Sequence, residues 1–192
     1  MSEREYNRVL GSLRLVGLFA IILVLVYFAR PTVLSVVVGF VFVAVGEGVR
    51  FWSAGLLLKT KELMTAGPYR YTRNPLYLGR FLILTGLVIM VNLKYQQYYL
   101  SWVVLVLGWS FFLFGYMRRK ERVEPARLLE EHGEAYQRYF DAVPALFPTL
   151  RPYQHFTPAK WSLERMLRNR EYWMVIGLLL VAAYLLRQAL TG

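Results

Sequence analysis

The chain has 192 residues, 57% of them hydrophobic, and its mean hydropathy of +0.37 excludes an ordinary soluble domain of this size. It contains no cysteine and only two histidines, which excludes a disulfide framework, a thiolate metal site and a His-rich metal centre. The net charge of +11 is compatible with nucleic acid as a partner, but the positions of the charges favour a membrane surface instead.

Five apolar segments are long enough to cross a hydrocarbon core, which takes about 20 residues. In chain order they are Leu10–Ala29, Thr32–Trp52, Leu76–Leu93, Tyr95–Met117 and Tyr172–Leu190. The sequence therefore predicts an all-α integral membrane helical bundle with about five transmembrane helices, plus amphipathic helices on the cytoplasmic side. Residues 1–192 are expected to form a single membrane domain.

Lysine and arginine are distributed unevenly between the two sides of this topology. With a cytoplasmic N-terminus, all of the 23 except Arg30, Lys94 and Arg187 fall on the cytoplasmic side or just inside a helix end. This positive-inside bias predicts that the C-terminus lies outside and that anionic lipid headgroups, not nucleic acid, contact the basic face. The first span is predicted to be retained, because residues 27–31 offer no small-x-small cleavage site.

Two charged residues near the end of the second predicted span are candidates for a functional role. Glu47 and Arg50 are three residues apart and therefore lie on one helix face. Either Glu47 faces an internal pocket and binds substrate, or the two side chains form an ion pair that closes the helix end. The sequence leaves both possibilities open.

The most informative segment is Gly67–Gly79, in which polar, aromatic, Pro and Gly residues precede an apolar run. Pro75 biases Asn74 away from helical geometry and places it beside a helix N-terminus, whose free N–H groups suit a carboxylate. Tyr77 and Gly79 follow in the first turn, where a glycine permits a ligand or another helix to approach closely. The alternative is a capped helix start with interfacial tyrosine and arginine side chains.

A second motif follows the fourth predicted span. Its residues recur mostly at helical spacing and end in prolines: Glu124, Leu128, Gly133, Tyr136, Tyr139, Val143, Pro144 and Pro148. Taken alone, the motif is more typical of an amphipathic surface helix with a break at Gly133. Pro125 is expected to kink this helix and turn it over the bundle as a lid. Further on, Thr157–Pro158 predicts the start of an interfacial helix.

Together the two motifs resemble the membrane-embedded methyltransferases that include isoprenylcysteine carboxyl methyltransferase and phospholipid N-methyltransferases. Gly-Pro-Tyr-x-Tyr-x-Arg-Asn-Pro-x-Tyr-x-Gly is similar to the family signature, and Glu-x3-Leu-x4-Gly-x2-Tyr-x2-Tyr-x3-Val-Pro-x3-Pro is similar to its tail motif. The resemblance covers residues 46–148 as a methyltransferase-like core and leaves 149–192 as a cytoplasmic interfacial helix and an extra C-terminal span. Arg50–Leu63 resembles bacterial members, so a prokaryotic plasma membrane is expected.

The chain departs from the isoprenylcysteine enzymes at three places. Asn74 stands where they usually have His, Glu124–Pro125 where they have two adjacent acids, and His132 where they have Phe. These differences weaken the isoprenylcysteine assignment more than the methyltransferase assignment. The resemblance therefore implies a methyltransferase that uses S-adenosylmethionine and acts on a membrane lipid or a prenylated or lipid-linked small substrate.

Site residues are expected on both motifs. Eight candidates for binding S-adenosylmethionine are Tyr69, Arg73, Asn74, Tyr77, Leu78, Gly79, Tyr136 and Tyr139. The candidate catalytic residues are Glu124 and Arg118. The carboxylate of Glu124 can face the sulfonium or accept a proton from an ammonium substrate. Arg80 and Glu47 are the candidate substrate-binding residues, with Arg80 and Arg118 placed to hold an anionic headgroup.

Two other functions remain open on the sequence. NADPH-dependent membrane sterol or enoyl reductases carry a similar Arg-His/Asn-Pro-x-Tyr motif, although those with a full sterol-reductase architecture are longer. The second alternative function is a non-catalytic membrane scaffold with a degenerate site, but a scaffold would leave the polar loop motifs without a purpose.

Overall fold

The computed structural model describes residue 25 and residues 27–57, 63–156, 158–169 and 171–191. Six helices appear in this part of the chain: α1 Val33–Leu56, α2 Pro75–Val91, α3 Leu100–Ser110, α4 Arg118–Ala142, α5 Leu163–Arg168 and α6 Glu171–Thr191. The other elements are a 3-10 turn Gly67–Arg70, strands β1 Lys94–Tyr95 and β2 Tyr98–Tyr99, and a π-helical segment Phe111–Met117 between α3 and α4. The predicted all-α membrane bundle is confirmed as a class.

Three helical stretches of the described chain are long and apolar enough to cross a membrane. They are α1, the continuous stretch Leu100–Ala142 and α6, whereas α2 is apolar but has 17 residues. From Leu100 to Gly133, where its direction changes, this stretch is about 50 Å long, so the charged α4 extends beyond a hydrocarbon core of about 30 Å. The predicted first span, Leu10–Ala29, lies almost wholly outside the described residues, and the five-span count stays a prediction.

Helices α1 and α2 cross at very close range because glycines face each other. A Cβ atom on Gly46 would lie 2.7 Å from the carbonyl oxygen of Gly79, and one on Gly79 would lie 2.6 Å from that of Gly46. Gly39 and Gly86 form a second such contact along the same pair of helices. Small residues let helix backbones approach in this way, so the two helices form one tightly packed unit.

The fourth predicted span begins later than the sequence indicated. The predicted start of this span at Tyr95 was wrong, because residues 94–99 form a short antiparallel hairpin of β1 and β2. Its turn has Gln96 at φ 52, a positive value that suits the twist of a two-residue hairpin turn. Tyrosine also favours strands, so the helix begins only at Leu100.

The direction of α4 changes at Gly133, not at Pro125 as predicted. The helix continues past Pro125, whereas Gly133 has φ 54 and ψ −133, a backbone conformation that glycine adopts readily. The turn after Gly133 places Tyr136 and Tyr139 in buried positions against Leu63 and Tyr153. The second motif is therefore folded back as expected, but by a glycine and not by a proline kink.

Helix α5 is attached to the end of α1. It begins at Leu163, where the Ser162 side chain accepts a hydrogen bond from the Arg165 N–H, and not directly after Pro158 as predicted; Thr157 lies outside the described residues. The Trp161 indole donates to the Phe51 carbonyl oxygen at 3.2 Å. The interfacial segment is thus fixed to the bundle.

Candidate active site

Backbone hydrogen bonds join the loop of the first motif to the end of the second motif and the residues that follow it. The Arg73 N–H donates to Pro144, the Thr149 N–H donates to Tyr71 and the Tyr153 N–H donates to Arg70, each to the carbonyl oxygen and each at 2.9 Å. These segments are separated by about seventy to eighty residues of sequence, yet their backbone groups satisfy one another. We call this contact between residues 70–73 and 144–153 the loop–tail contact.

A cavity of about 550 Å³ lies between the first motif and α4. Its volume falls within the range of about 300–1,000 Å³ that is usual for cofactor and ligand sites. Seven of the predicted site residues line it: Tyr69, Arg73, Asn74, Tyr77, Glu124, Tyr136 and Tyr139. The structure therefore brings most of the two motifs to one place, while the roles of these residues stay predictions.

Glu121 is the polar centre of this cavity, and the sequence analysis did not identify it. Its carboxylate forms an ion pair with Arg73 and accepts a hydrogen bond from Asn74 Nδ2 at 2.8 Å. Arg73 also donates to the Phe140 carbonyl oxygen at 2.9 Å, and its guanidinium lies 3.7 Å from the centre of the Phe140 ring. Glu121 precedes Glu124 by one helical turn, and this spacing could have revealed it.

Lys120 is a second cavity residue that the sequence analysis missed. Its ammonium group pairs with Glu124 and lies 4.7 Å from the centre of the Tyr77 ring. Burial lowers the pKa of Lys120 to about 8; the nearby Arg73 and Arg127 act in the same direction, and the Glu121 carboxylate opposes them. Glu124 lies at the rim of the cavity, with 40% of its side chain exposed.

The lowered pKa of Lys120 predicts a pH dependence of stability. The ordinary lysine pKa is 10.5, so between pH 8 and 10.5 the unfolded chain binds more protons at this position than the folded chain does. The free energy of unfolding should therefore rise with pH across this window. The stability that Lys120 adds at high pH is lost as the pH falls through 8. The difference between the unfolding midpoints of wild type and Lys120→Met, taken at about pH 7.5 and at about pH 10, measures this change.

In this comparison the stability of wild type should increase relative to that of the Lys120→Met variant as the pH rises. Tyrosines that titrate in the same range are common to both proteins, so they cancel in the difference. Lys160→Met is the matched control, because Lys160 is exposed. A pH-independent difference for Lys120→Met would contradict the prediction.

The tyrosines of the cavity wall are held as neutral phenols. Burial raises the pKa of Tyr69 and of Tyr139, and the Tyr139 hydroxyl donates to the Tyr69 carbonyl oxygen at 2.8 Å. Burial also raises the pKa of Tyr136, whose side chain is only 4% exposed. These rings present aromatic faces and buried hydroxyls, and they keep water away from one wall.

The N-terminus of α2 is less available to a carboxylate than the sequence indicated. Pro75 has no N–H, and the N–H groups of Tyr77 and Leu78 both donate to the Asn74 carbonyl oxygen at 3.0 Å. At most the Leu76 N–H of the first turn is left for a ligand. The prediction that a carboxylate binds at this helix end therefore has little support from the geometry.

Three other predicted residues lie away from the cavity lining. Gly79 is used in the crossing of α1 and α2, where a Cβ atom would meet the Arg50 side chain and the Gly46 backbone. Leu78 packs against a cluster that contains Phe112. Arg118 is exposed to solvent, so its predicted catalytic role gains no support from its position.

The two predicted substrate-binding residues also lie outside the lining. Arg80 is exposed and donates to the Tyr116 hydroxyl at 3.0 Å. Glu47 is buried, and its carboxylate oxygens have no hydrogen-bond partner within the described residues. Of the two alternatives left open for Glu47, the ion pair with Arg50 is not formed, since Arg50 pairs with Glu171 of α6 at 2.6 Å.

Comparison with known proteins identifies the family. The family model for phospholipid methyltransferases matches residues 19–116, which include the whole first motif and end before the second. No curated protein and no solved structure matches the chain. A match over half of the chain, together with the apolar helices, makes this an integral membrane protein of the phospholipid methyltransferase family, whose members are methyltransferases acting on lipid.

Proposed function

We propose that the protein uses S-adenosylmethionine to methylate a membrane lipid or a lipid-linked small substrate. The observation that carries the proposal is the cavity, which is lined by the rings of Tyr69, Tyr77 and Tyr136 and by the carboxylates of Glu121 and Glu124. Aromatic faces and carboxylates both favour a positive charge. This donor set fits a sulfonium cofactor, which would supply an electrophilic methyl group when bound.

The residues that would hold the cofactor are the seven predicted lining residues together with Glu121 and Lys120. Methyl transfer needs an acceptor held in line with the bond that breaks, in a space that excludes water. The buried tyrosines, together with the apolar Leu63, Met64 and Leu128, limit access of water to the cavity. A carboxylate acceptor needs no base, whereas an ammonium acceptor must first lose a proton.

The charge balance of the cavity favours this function over an NADPH-dependent reductase. NADPH carries several phosphate charges, which basic side chains usually bind. Among the described residues three basic side chains line this cavity, and each has an acidic partner: Arg73 pairs with Glu121, Lys120 pairs with Glu124, and Arg127 lies 3.9 Å from Glu131. A phosphate would have to compete with these carboxylates, so a reductase is the weaker proposal.

Binding measurements on the purified protein in detergent test the proposal. Calorimetry should show saturable binding of S-adenosylmethionine and none of NADPH. Binding of NADPH alone would replace the methyltransferase with a reductase. Binding of neither compound by a folded protein would favour the scaffold.

The lipid is proposed to reach the cavity past Tyr77. The ring of this tyrosine lies against Tyr116, with the Arg80 guanidinium 5.4 Å from its centre on the exposed side. Lys120 contacts the same ring from within the cavity. Arg80 is therefore placed to hold an anionic headgroup while the reacting end of the lipid lies beside Lys120 and Glu124.

Glu124 is proposed to accept the proton of an ammonium substrate. Replacing it with Gln keeps the shape and removes the base, so turnover should fall at least tenfold, toward the lower end of the usual effect of a general base. Steady-state kinetics on an accepted lipid measure this, and Glu130→Gln is the control because Glu130 is exposed on the same helix. Wild-type turnover in Glu124→Gln would show that Glu124 is only a surface residue.

In the same assay Arg80→Gln should raise KM for the lipid and leave turnover unchanged.

The proposed orientation has the N-terminus in the cytoplasm and the C-terminus outside. Because the chain has no cysteine, single cysteines can report sidedness without background. Cysteines at Gln97 and Thr191 should react with an impermeant reagent from outside the cell, and one at Glu130 only after permeabilisation. Labelling of Gln97 and Glu130 from the same side would overturn this topology.

A further inference from the structure

The side-chain amide of Asn74 is held in one orientation by two groups that can only accept hydrogen bonds. Asn74 Nδ2 donates to the Glu121 carboxylate at 2.8 Å and to the Ala145 carbonyl oxygen at 2.8 Å. A carboxylate in an ion pair and a backbone carbonyl have no hydrogen to offer in return. The amide therefore cannot flip without losing both contacts, and both of its hydrogens are in use.

The orientation decides what Asn74 can offer to a ligand. Asn74 lines the cavity, and Oδ1 is the only side-chain polar group that its two partners leave over. An amide that donates to a carboxylate is polarised, which makes its oxygen a better acceptor for a positively charged donor. The group that meets Asn74 Oδ1 must therefore donate a hydrogen bond and cannot be an ionised carboxylate, and a positively charged N–H donor gains most from the polarised oxygen.

We infer that Glu121 is a positioning residue that fixes Asn74 as an acceptor for an amine or ammonium N–H of the ligand. The inference rests on the proposed function and deepens it. The N–H group can come from the amino group of the cofactor's methionine moiety or from an amine on the lipid. Glu121 achieves this through Asn74 and Arg73 and does not itself need to touch the ligand.

A pair of ligands separates this role from a merely structural one. S-Adenosylhomocysteine carries the amino group, and its deamino analogue lacks only that group. Calorimetry should show that Glu121→Gln and Asn74→Ala each weaken binding of S-adenosylhomocysteine about tenfold, as expected for the loss of one charge-assisted hydrogen bond. Both variants should bind the deamino analogue as wild type does, and Glu130→Gln should leave both affinities unchanged.

The second source of the N–H group gives a different result in the same set of variants. If the lipid supplies it, the affinity for S-adenosylhomocysteine stays at the wild-type value. KM for vesicles that contain phosphatidylethanolamine then rises about tenfold in both variants. Equal weakening of both nucleoside ligands with unchanged KM would overturn the inference and leave Glu121 as a structural residue, as would no change in any of these values.

The hydrogen bond itself can be tested without a ligand. Asn74→Asp places a second carboxylate against Glu121, so this variant should unfold at a lower temperature at neutral pH. Adding Glu121→Gln restores a donor opposite an acceptor and should recover most of the loss. If Glu121→Gln does not restore the stability of Asn74→Asp, the proposed contact is contradicted. If the wild-type protein binds no nucleoside ligand, the proposed function is refuted instead.

Discussion

Replacing Arg50 with Met should lower the free energy of unfolding by about 3–5 kcal/mol, the usual cost of leaving a buried charge without its partner. Arg50 contacts the Glu171 carboxylate through Nη2 at 2.6 Å and Nε at 3.1 Å, and it also donates to the Leu76 carbonyl oxygen at 3.2 Å. Both charged side chains are only 9% exposed. Denaturant or thermal unfolding in detergent measures the change.

The double variant Arg50→Met with Glu171→Met provides the decisive comparison. Two apolar side chains of similar volume often replace a buried ion pair at little cost, so the double variant should be much more stable than either single variant. The exposed pair of Arg168 and Glu164 is the control, and breaking it should cost less than about 1 kcal/mol. Additive losses in the double variant would show that the two residues do not act as a pair.

Gly46→Ala is expected to have the next largest effect, a loss of about 1–3 kcal/mol or more from overpacking. The added methyl group would lie 2.7 Å from the Gly79 carbonyl oxygen and 2.9 Å from Ile83 Cγ1. Backbone atoms cannot rotate out of the way, so α1 and α2 would have to separate. The change should appear as a lower melting temperature in detergent and as a smaller yield of monodisperse protein.

Gly48→Ala is the matched control on the same helix. A Cβ atom at Gly48 would meet no described atom within 4 Å. Alanine favours a helix over glycine by up to about 1 kcal/mol, so this variant should be as stable as wild type or slightly more stable. Equal destabilisation by both substitutions would contradict the prediction, because Gly48 takes no part in the crossing of α1 and α2.

The membrane helices could be predicted from sequence because their signal is local. The predicted spans Thr32–Trp52 and Tyr172–Leu190 correspond to α1 and α6 with small shifts at the ends. The meeting of the two motifs was expected only from the family resemblance. The structure adds that the loop–tail contact and the Arg73 side chain hold them together.

The polar contacts inside the bundle could not be predicted, because their partners are distant in sequence. Glu47 is the obvious helical neighbour of Arg50, yet Glu171 lies 121 residues away and takes its place. The face of α4 was also hidden, since the π-helical segment Phe111–Met117 shifts the helical phase between the span and the residues that follow. Extending the pattern of the fourth span therefore does not place Lys120 or Glu121 in the cavity, and only the one-turn spacing from Glu124 pointed to Glu121.

The loop–tail contact also sets the order in which the protein can be completed during synthesis. Residues 70–73 leave the ribosome long before Pro144 and Thr149, whose backbone groups they bind. Helices α2 and α3 are thus made and available for insertion while one wall of the cavity does not yet exist. A nascent chain that stops at residue 116, the last residue matched by the family model, lacks Lys120, Glu121 and every later lining residue. Such a chain has its first motif and its early helices but no cavity.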